Sequence, residues 1–384
     1  MGNLRDNPGA LLCVVGARPN YMKMAPLLRA FRAHSALPPA VLVHTGQHYD
    51  PLLNDRLFED LSLPRPDINL GVGSGTHAQQ TAEVMRRFEP VVDEHRPSCV
   101  VVVGDVNSTL ACSLVAVKKG VPVAHVEAGL RSFDRAMPEE INRVLTDQIS
   151  DLLYTTERSA HENLAREGIP AQRMHFAGNV MIDSLLFHRN RAVPAVRTLS
   201  QAGRGEFAAE GYGVVTLHRP SNVDEPEALR SSLGILRAVS ETLPLVCALH
   251  PRTVARIDGF GLSGVLKTSR IAVLPPQGYL EMLGLMADAT LVLTDSGGMQ
   301  EESTALAVPC LTMRENTERP ITVEQGTNTL VGRDPVLILR LVGEILASGG
   351  KRGRTPELWD GRAAERIAAH LAGWLATRPL PIHV

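Results

Sequence analysis

Two cations stand at a strand-to-helix turn in Gly16-Ala17-Arg18-Pro19-Asn20-Tyr21-Met22-Lys23, where exposed backbone N–H groups and the helix dipole favour anions. A solvated Arg18 and Lys23 on an ordinary turn fits the same residues. Carboxylates gather in three further segments: Asp105 in Gly104-Asp105-Val106-Asn107-Ser108-Thr109, Glu127 in His125-Val126-Glu127-Ala128-Gly129-Leu130-Arg131, and Glu139 with Glu140 in Met137-Pro138-Glu139-Glu140-Ile141-Asn142-Arg143. Asp105 and Glu127 each come just past an apolar run, so both should face one crevice. Acids gathered there would repel, raising at least one pKa and giving an acid/base pair. Taken alone, Asp105 reads better as the N-cap of the following helix. Glu127 has no such account, because neither a strand interior nor a cap wants it.

The second half carries matching groups. Thr216-Leu217-His218-Arg219-Pro220-Ser221-Asn222, His250-Pro251-Arg252 and Thr317-Glu318-Arg319-Pro320 place His and Arg after apolar runs or near turns. A lone His at such a place is usually structural, but a His-Arg pair can neutralise a diphosphate and pass a proton to a departing oxygen. Leu293-Thr294-Asp295-Ser296-Gly297-Gly298-Met299-Gln300-Glu301-Glu302 is the corresponding turn. Its glycines let backbone approach a ligand, and Ser296 can donate. Glu302, one turn into the helix, can accept from ribose hydroxyls, although acids at helix starts are also favoured by the dipole alone.

Short β-branched runs position these groups: residues 11–15, 41–44, 99–103, 121–125 and 152–155, then 212–217, 245–249, 271–274, 291–294 and 310–313. Continuous rather than alternating apolar residues predict strands covered on both faces, hence parallel sheets, and the helix-like stretches between them predict βαβ units. The expected class is α/β, with two doubly wound Rossmann-like domains whose strand ends face a shared cleft. The stretch 188–204 has no apolar rhythm, and the boundary is placed just before it. The expected domains are 1–178, bearing the carboxylates, 179–360, and a terminal helix within 361–384.

Length and composition exclude several classes. A chain of 384 residues suits two cores. With aromatics at 4% and a net charge of −2, nothing offers a stacking platform or basic field for nucleic acid. The five cysteines are isolated, which predicts reduced, buried thiols; no CxxC pair exists and no pair of histidines sits in a zinc-type HExxH helix. No hydrophobic leader or membrane-length apolar run is present, so a cytoplasmic protein is expected. Gly259-Phe260-Gly261-Leu262-Ser263-Gly264 fits GxGxxG, but no strand leads into it.

Taken in order, the segments resemble the non-hydrolysing UDP-N-acetylglucosamine 2-epimerase family, from about residue 11 to about residue 375. The matching stretches include 16–26, 45–48, 104–109, 125–132, 138–146, 178–183, 218–219, 250–251, 276–280, 293–302 and 317–332. The resemblance implies a GT-B-like fold with UDP between the domains, a C-terminal helix returning to the first domain, a homodimer and no cofactor. It implies catalytic roles for Asp105, Glu127, Glu139 and His218. It places Arg18, Lys23, Gln277, Ser296, Gly297, Gly298, Glu302 and Arg319 against the UDP-sugar. The implied reaction is elimination of UDP to a glycal and re-addition, interconverting UDP-GlcNAc and UDP-ManNAc. The alternatives are a modified UDP-sugar, a hydrolysing 2-epimerase and a GT-B glycosyltransferase. Three departures stand out: Met282 where an aromatic often lies against uracil, Ser221 in place of a frequent Glu, and Tyr49-Asp50-Pro51-Leu52-Leu53 after Gln47-His48.

Overall fold

The computed structural model describes residues 9–46, 51–268 and 270–377, and the side chains of 51–55 are outside that description. Gln47, His48, Tyr49 and Asp50 therefore lie outside the described residues, as do the side chains of Pro51, Leu52 and Leu53. Two compact units are formed: one from the residues up to Phe187 together with those from Glu357 on, the other from His188 to Pro356. Each unit is a doubly wound α/β sheet.

In the first unit the strands are β1 (Leu11–Val15), β2 (Ala40–His44), β3 (Ile68–Asn69), β4 (Cys99–Val103), β5 (Val123–Ala128), β6 (Leu152–Thr155) and β7 (Met174–Phe176). They form one parallel sheet in the order β3-β2-β1-β4-β5-β6-β7. The second unit has β8 (Gly213–Thr216), β9 (Leu245–Ala248), β10 (Ile271–Leu274), β11 (Leu291–Thr294), β12 (Cys310–Thr312) and β13 (Asn328–Leu330), in the order β10-β9-β8-β11-β12-β13, also all parallel. Every residue of Leu11-Leu12-Cys13-Val14-Val15 and of Cys99-Val100-Val101-Val102-Val103 is buried, as helices on both faces require. In each sheet the winding reverses once, between β1 and β4 and between β8 and β11. At such switch points the loops leave in opposite directions and open a crevice at the strand C-terminal ends.

The break between units falls at Phe187/His188, later than residue 178. The helix Val180–His188 lies with the first unit up to Phe187, and its Ser184 hydroxyl donates to the Met22 carbonyl there. The terminal helix Ala363–Ala376 belongs to the first unit too. Asp183 holds it by accepting the helix-starting N–H groups of Ala363 (3.1 Å) and Ala364 (2.7 Å). Burial raises the Asp183 carboxyl to about 6. All five cysteines are buried and unbridged, and no helix among the described residues is long and apolar enough to cross a membrane.

The terminal helix also brings His370 against His175, with ring centroids 3.7 Å apart, while its Nδ1 lies 3.0 Å from the Tyr154 hydroxyl. Burial and the neighbouring imidazole depress His175 to about 4. The native state thus binds fewer protons than the unfolded chain between pH 6.5 and 4. Stability from this group is complete above pH 6.5 and is lost as pH falls through that window. Asp183 acts in the opposite sense over an overlapping range, so the expected result is a difference. Relative to His175→Gln, the wild type loses stability on going from pH 7 to pH 5 in denaturant titrations. Parallel loss in both proteins would show that His175 is not the cause.

Candidate functional site

In the first unit the site is built at the β1/β4 switch point. The Asn20 side chain organises the turn after β1. Its Oδ1 accepts the N–H groups of Gly16 (3.2 Å) and Ala17 (3.0 Å), and its Nδ2 donates to the Val103 carbonyl at the end of β4 (2.9 Å). Those two backbone donors, which the sequence reading left open to an anion, are therefore occupied by Asn20. Arg18 is half-buried at the first position of the helix Arg18–Ala33. One turn further on, Lys23 is buried and its Nζ lies 2.6 Å from Glu127 Oε2. Gly104 makes room for it: a Cβ there would stand 3.0 Å from Lys23 Nζ, and its φ of +66° suits glycine.

Glu127 lies inside β5, not beyond it, at a register irregularity between Val126 and Ala128. Its φ is +72°, a left-handed conformation that costs a residue with a side chain about 1–3 kcal/mol. A bulge of this kind re-aims a side chain that the regular pleat would send elsewhere. Buried polar groups hold the segment. His125 Nδ1 meets Asp147 at 2.7 Å, His125 Nε2 meets the Gly104 carbonyl at 2.8 Å, and Asp147 also accepts from the Gly129 N–H and pairs with Arg131. Burial would raise the Asp147 carboxyl, but His125 and Arg131 together hold it below its ordinary range.

Asp105 does not cap the next helix, whose N-cap is Val106 with no side-chain cap bond. Instead it pairs with Arg143. The other guanidinium nitrogen of Arg143 meets Glu140 at 2.7 Å. Glu140 is committed to the loop, accepting from the Ser132 N–H, the Ser132 hydroxyl and the Phe133 N–H. Glu139, its neighbour in the first turn of the helix Pro138–Ile149, is half-exposed and has no ion pair among the described residues. Glu127 is thus met by Lys23, and Asp105 and Glu140 by Arg143, rather than by one another. Asn142 donates to the Asp105 carbonyl (3.0 Å) and helps line a cavity of about 380 Å³ with His77, Met85 and Asn107.

In the second unit the corresponding groups stand at the β8/β11 switch point. His218 follows β8, and its Nδ1 lies 2.8 Å from Asp295 Oδ1, the first residue past β11. The helix Gly297–Leu306 begins with Gly297 and Gly298 behind Ser296, and no side chain caps its first N–H groups. A Cβ on Gly297 would meet Glu318 Oε1 at 2.6 Å, so a larger residue there would have to displace that buried carboxylate. Inside this helix Glu302 is buried and accepts from the Tyr279 hydroxyl (3.1 Å). Burial, assisted by Glu301, pushes its carboxyl up to about 7.

Around the helix start lie three arginines and two glutamates. Arg319 Nε meets Glu301 at 2.9 Å, and Glu318 is met by Arg314 (2.7 Å) and Arg219 (3.4 Å). Burial would raise Glu318, but Arg319 and Arg314 hold it well below the carboxylate range. In this cluster Arg314 Nη1 and Arg219 Nε are buried without a hydrogen-bond acceptor among the described residues. Unmatched donors of this kind suit a multivalent oxyanion. Gln277 is half-buried, its amide turned to the Pro275 carbonyl. Met282 packs on the apolar cluster around Met286 and Val292. His250 is structural: its Nδ1 accepts the Arg252 N–H and caps the helix Pro251–Gly259. Residues 259–264 begin at the last residue of that helix, and no strand leads into them.

Asp295, Arg143 and Asn20 carry much of this geometry, and the sequence reading gave them no role. Asp295 had a usable signal, since a carboxylate immediately after a β-branched run sits at the strand end. Arg143 and Asn20 act across 38 and 83 residues of chain, and local pattern holds nothing of that.

Comparison with known proteins supplies a context for both half-sites. The sequence profile described as UDP-N-acetylglucosamine 2-epimerase matches residues 30–372. The UDP-N-acetylglucosamine 2-epimerase of Methanocaldococcus jannaschii is 41% identical over 361 residues, spanning 93% of this chain and 97% of its own. A UDP-2,3-diacetamido-2,3-dideoxy-D-glucuronate 2-epimerase of Pseudomonas aeruginosa is 40% identical, spanning 94% and 99%. The crystal structure of the M. jannaschii enzyme in complex with UDP-GlcNAc and UDP matches with a TM-score of 0.85 at 40% identity, over 95% of this chain and 99% of that one.

Proposed function

The chain belongs to the UDP-N-acetylglucosamine 2-epimerase family of isomerases, and from that premise we propose that it interconverts UDP-GlcNAc and UDP-ManNAc without hydrolysing them. The C2 proton of the sugar is too weakly acidic to leave as a free carbanion. Loss of UDP in the same event solves this: a base takes the C2 proton, the C2–H electrons form the C1=C2 bond, and the C1–O bond breaks toward the diphosphate. The products are a neutral glycal and UDP. Protonation at C2 from the other face and return of the diphosphate oxygen to C1 complete the inversion.

The first unit provides for the proton steps, with Asp105, Glu127 and Glu139 as acid, base and orienting groups. Lys23 keeps the Glu127 carboxylate in place, and Arg18 stands at the adjoining helix start. The second unit provides for the nucleotide. The N–H groups at Ser296, Gly297 and Gly298 and the Arg319 guanidinium suit the diphosphate, Gln277 the base, and Glu302 the ribose hydroxyls. His218 is positioned to serve the departing oxygen. The observation that carries this reading is the buried Lys23–Glu127 pair on a left-handed backbone residue, a strained arrangement that packing alone does not call for.

Incubation with UDP-GlcNAc in deuterium oxide should yield both epimers by NMR, with deuterium at C2 and no build-up of free sugar. Accumulating UDP with free N-acetylmannosamine would replace this with the hydrolysing reading. A second substrate is favoured by the Pseudomonas relative: if deuterium enters C2 of the diacetamido-glucuronate nucleotide but not of UDP-GlcNAc, that sugar is the substrate.

A further inference from the structure

We propose that Asp295 is a positioning residue for His218, fixing its ring plane and holding its proton on Nδ1 so that Nε2 is the working nitrogen. The inference rests on the epimerase reading for its purpose, but on the geometry of the second unit for its content.

Asp295 is fully buried at the end of β11. Its two oxygens accept from the His218 N–H (3.0 and 3.1 Å), the Arg219 N–H (2.9 Å) and the Asn222 amide (3.1 Å), and Oδ1 faces His218 Nδ1 at 2.8 Å. Burial opposes its charge, yet the His218 ring, the Arg219 N–H and the Asn222 amide hold its carboxyl below the ordinary range. An ionised carboxylate can only accept, so the nitrogen facing it must donate. The His218 proton therefore sits on Nδ1. That leaves Nε2 with a lone pair in the neutral ring and with a proton to give in the imidazolium, which the carboxylate also stabilises. The His218 side chain is 41% exposed while Asp295 is 0% exposed, so the ring is anchored on one edge and open elsewhere. Among the described residues, Asp295 is the charged group in contact with the ring. The pairing spans the β8/β11 switch point, where this fold class opens its crevice.

A merely structural Asp295 would hold the loop 218–222 by its backbone contacts alone, and Asp295→Asn separates the two roles. The Asn oxygen can still accept the backbone N–H groups, but its amide is a donor, and two donors cannot face each other across 2.8 Å. His218 must then carry its proton on Nε2. The readout is the ¹⁵N spectrum of histidine-labelled, unliganded protein, with His218→Gln used to assign the His218 signals. The wild type is expected to show the Nδ1–H tautomer above its titration, and Asp295→Asn the Nε2–H tautomer. An Nε2–H wild type overturns the proposal even if the variant fails to fold. In turnover, Asp295→Asn should lower kcat by about 10²-fold or more with little change in KM. The double variant with His218→Gln should be no slower than His218→Gln alone, whereas independent losses that multiply would overturn the proposal. If no UDP-sugar is turned over at all, the functional reading fails while the tautomer result stands by itself.

Discussion

Glu127→Gln should lower kcat by about 10²–10⁴-fold and abolish deuterium uptake at C2, with the fold retained. The substitution keeps the shape of the side chain and its left-handed backbone, so the β5 bulge and the His125–Asp147–Arg131 scaffold behind it stay as they are. What it removes is the charge facing Lys23 Nζ and the ability to hold a proton. Lys23→Met tests the same pair from the other side. A buried carboxylate stripped of its cation is left without its charge partner, so activity should fall by a similar factor. The double variant restores electrical balance in the interior and should regain stability without regaining turnover. A Glu127→Gln enzyme with wild-type kcat and normal deuterium uptake would remove Glu127 from the chemistry. It would leave the strained backbone at that position without a functional reason.

Much of this architecture was legible because its signals are local. Runs such as Cys99-Val100-Val101-Val102-Val103 can bury every residue only in a sheet covered on both faces, and such a sheet is parallel. The strands that escaped notice, β3, β7 and β13, have two or three residues each and lie at sheet edges, where no long apolar run is needed. The carboxylates were found as types but not as partners. Glu139 and Glu140 are adjacent on a helix and so point about 100° apart. Which of them the loop at Ser132 would claim depends on a turn that pattern does not encode. Likewise the placing of Glu127 inside β5 needed a positive φ and a bulge, and helix or strand rhythm predicts neither. The identification of His218 with Asp295, and of Asp105 with Arg143, depended on contacts 77 and 38 residues apart in the chain. Sequence reading reached the crevices through the strand ends, while the pairings inside them are tertiary.

Arg319→Met should cost about 3–5 kcal/mol of stability, because the fully buried Glu301 loses the guanidinium 2.9 Å away. Two roles are superposed on this arginine, and only a second substitution resolves them. As a structural partner it neutralises Glu301 and helps hold Glu318 ionised. As a binding residue it contributes positive charge beside the N-terminus of the helix Gly297–Leu306, which no side chain caps. If only the first role exists, the double variant Arg319→Met/Glu301→Leu, which removes the buried acid together with its cation, should bind UDP as the wild type does. If the guanidinium also serves a diphosphate, the double variant should recover thermal stability yet still bind UDP about 10–100-fold more weakly, the worth of one lost charged hydrogen bond. The second outcome is expected. The buried nitrogens of Arg314 and Arg219, which meet no acceptor among the described residues, leave donors that an arriving anion can satisfy. Calorimetric titration of UDP into the folded double variant decides between them, and wild-type affinity there would reduce Arg319 to a scaffold residue.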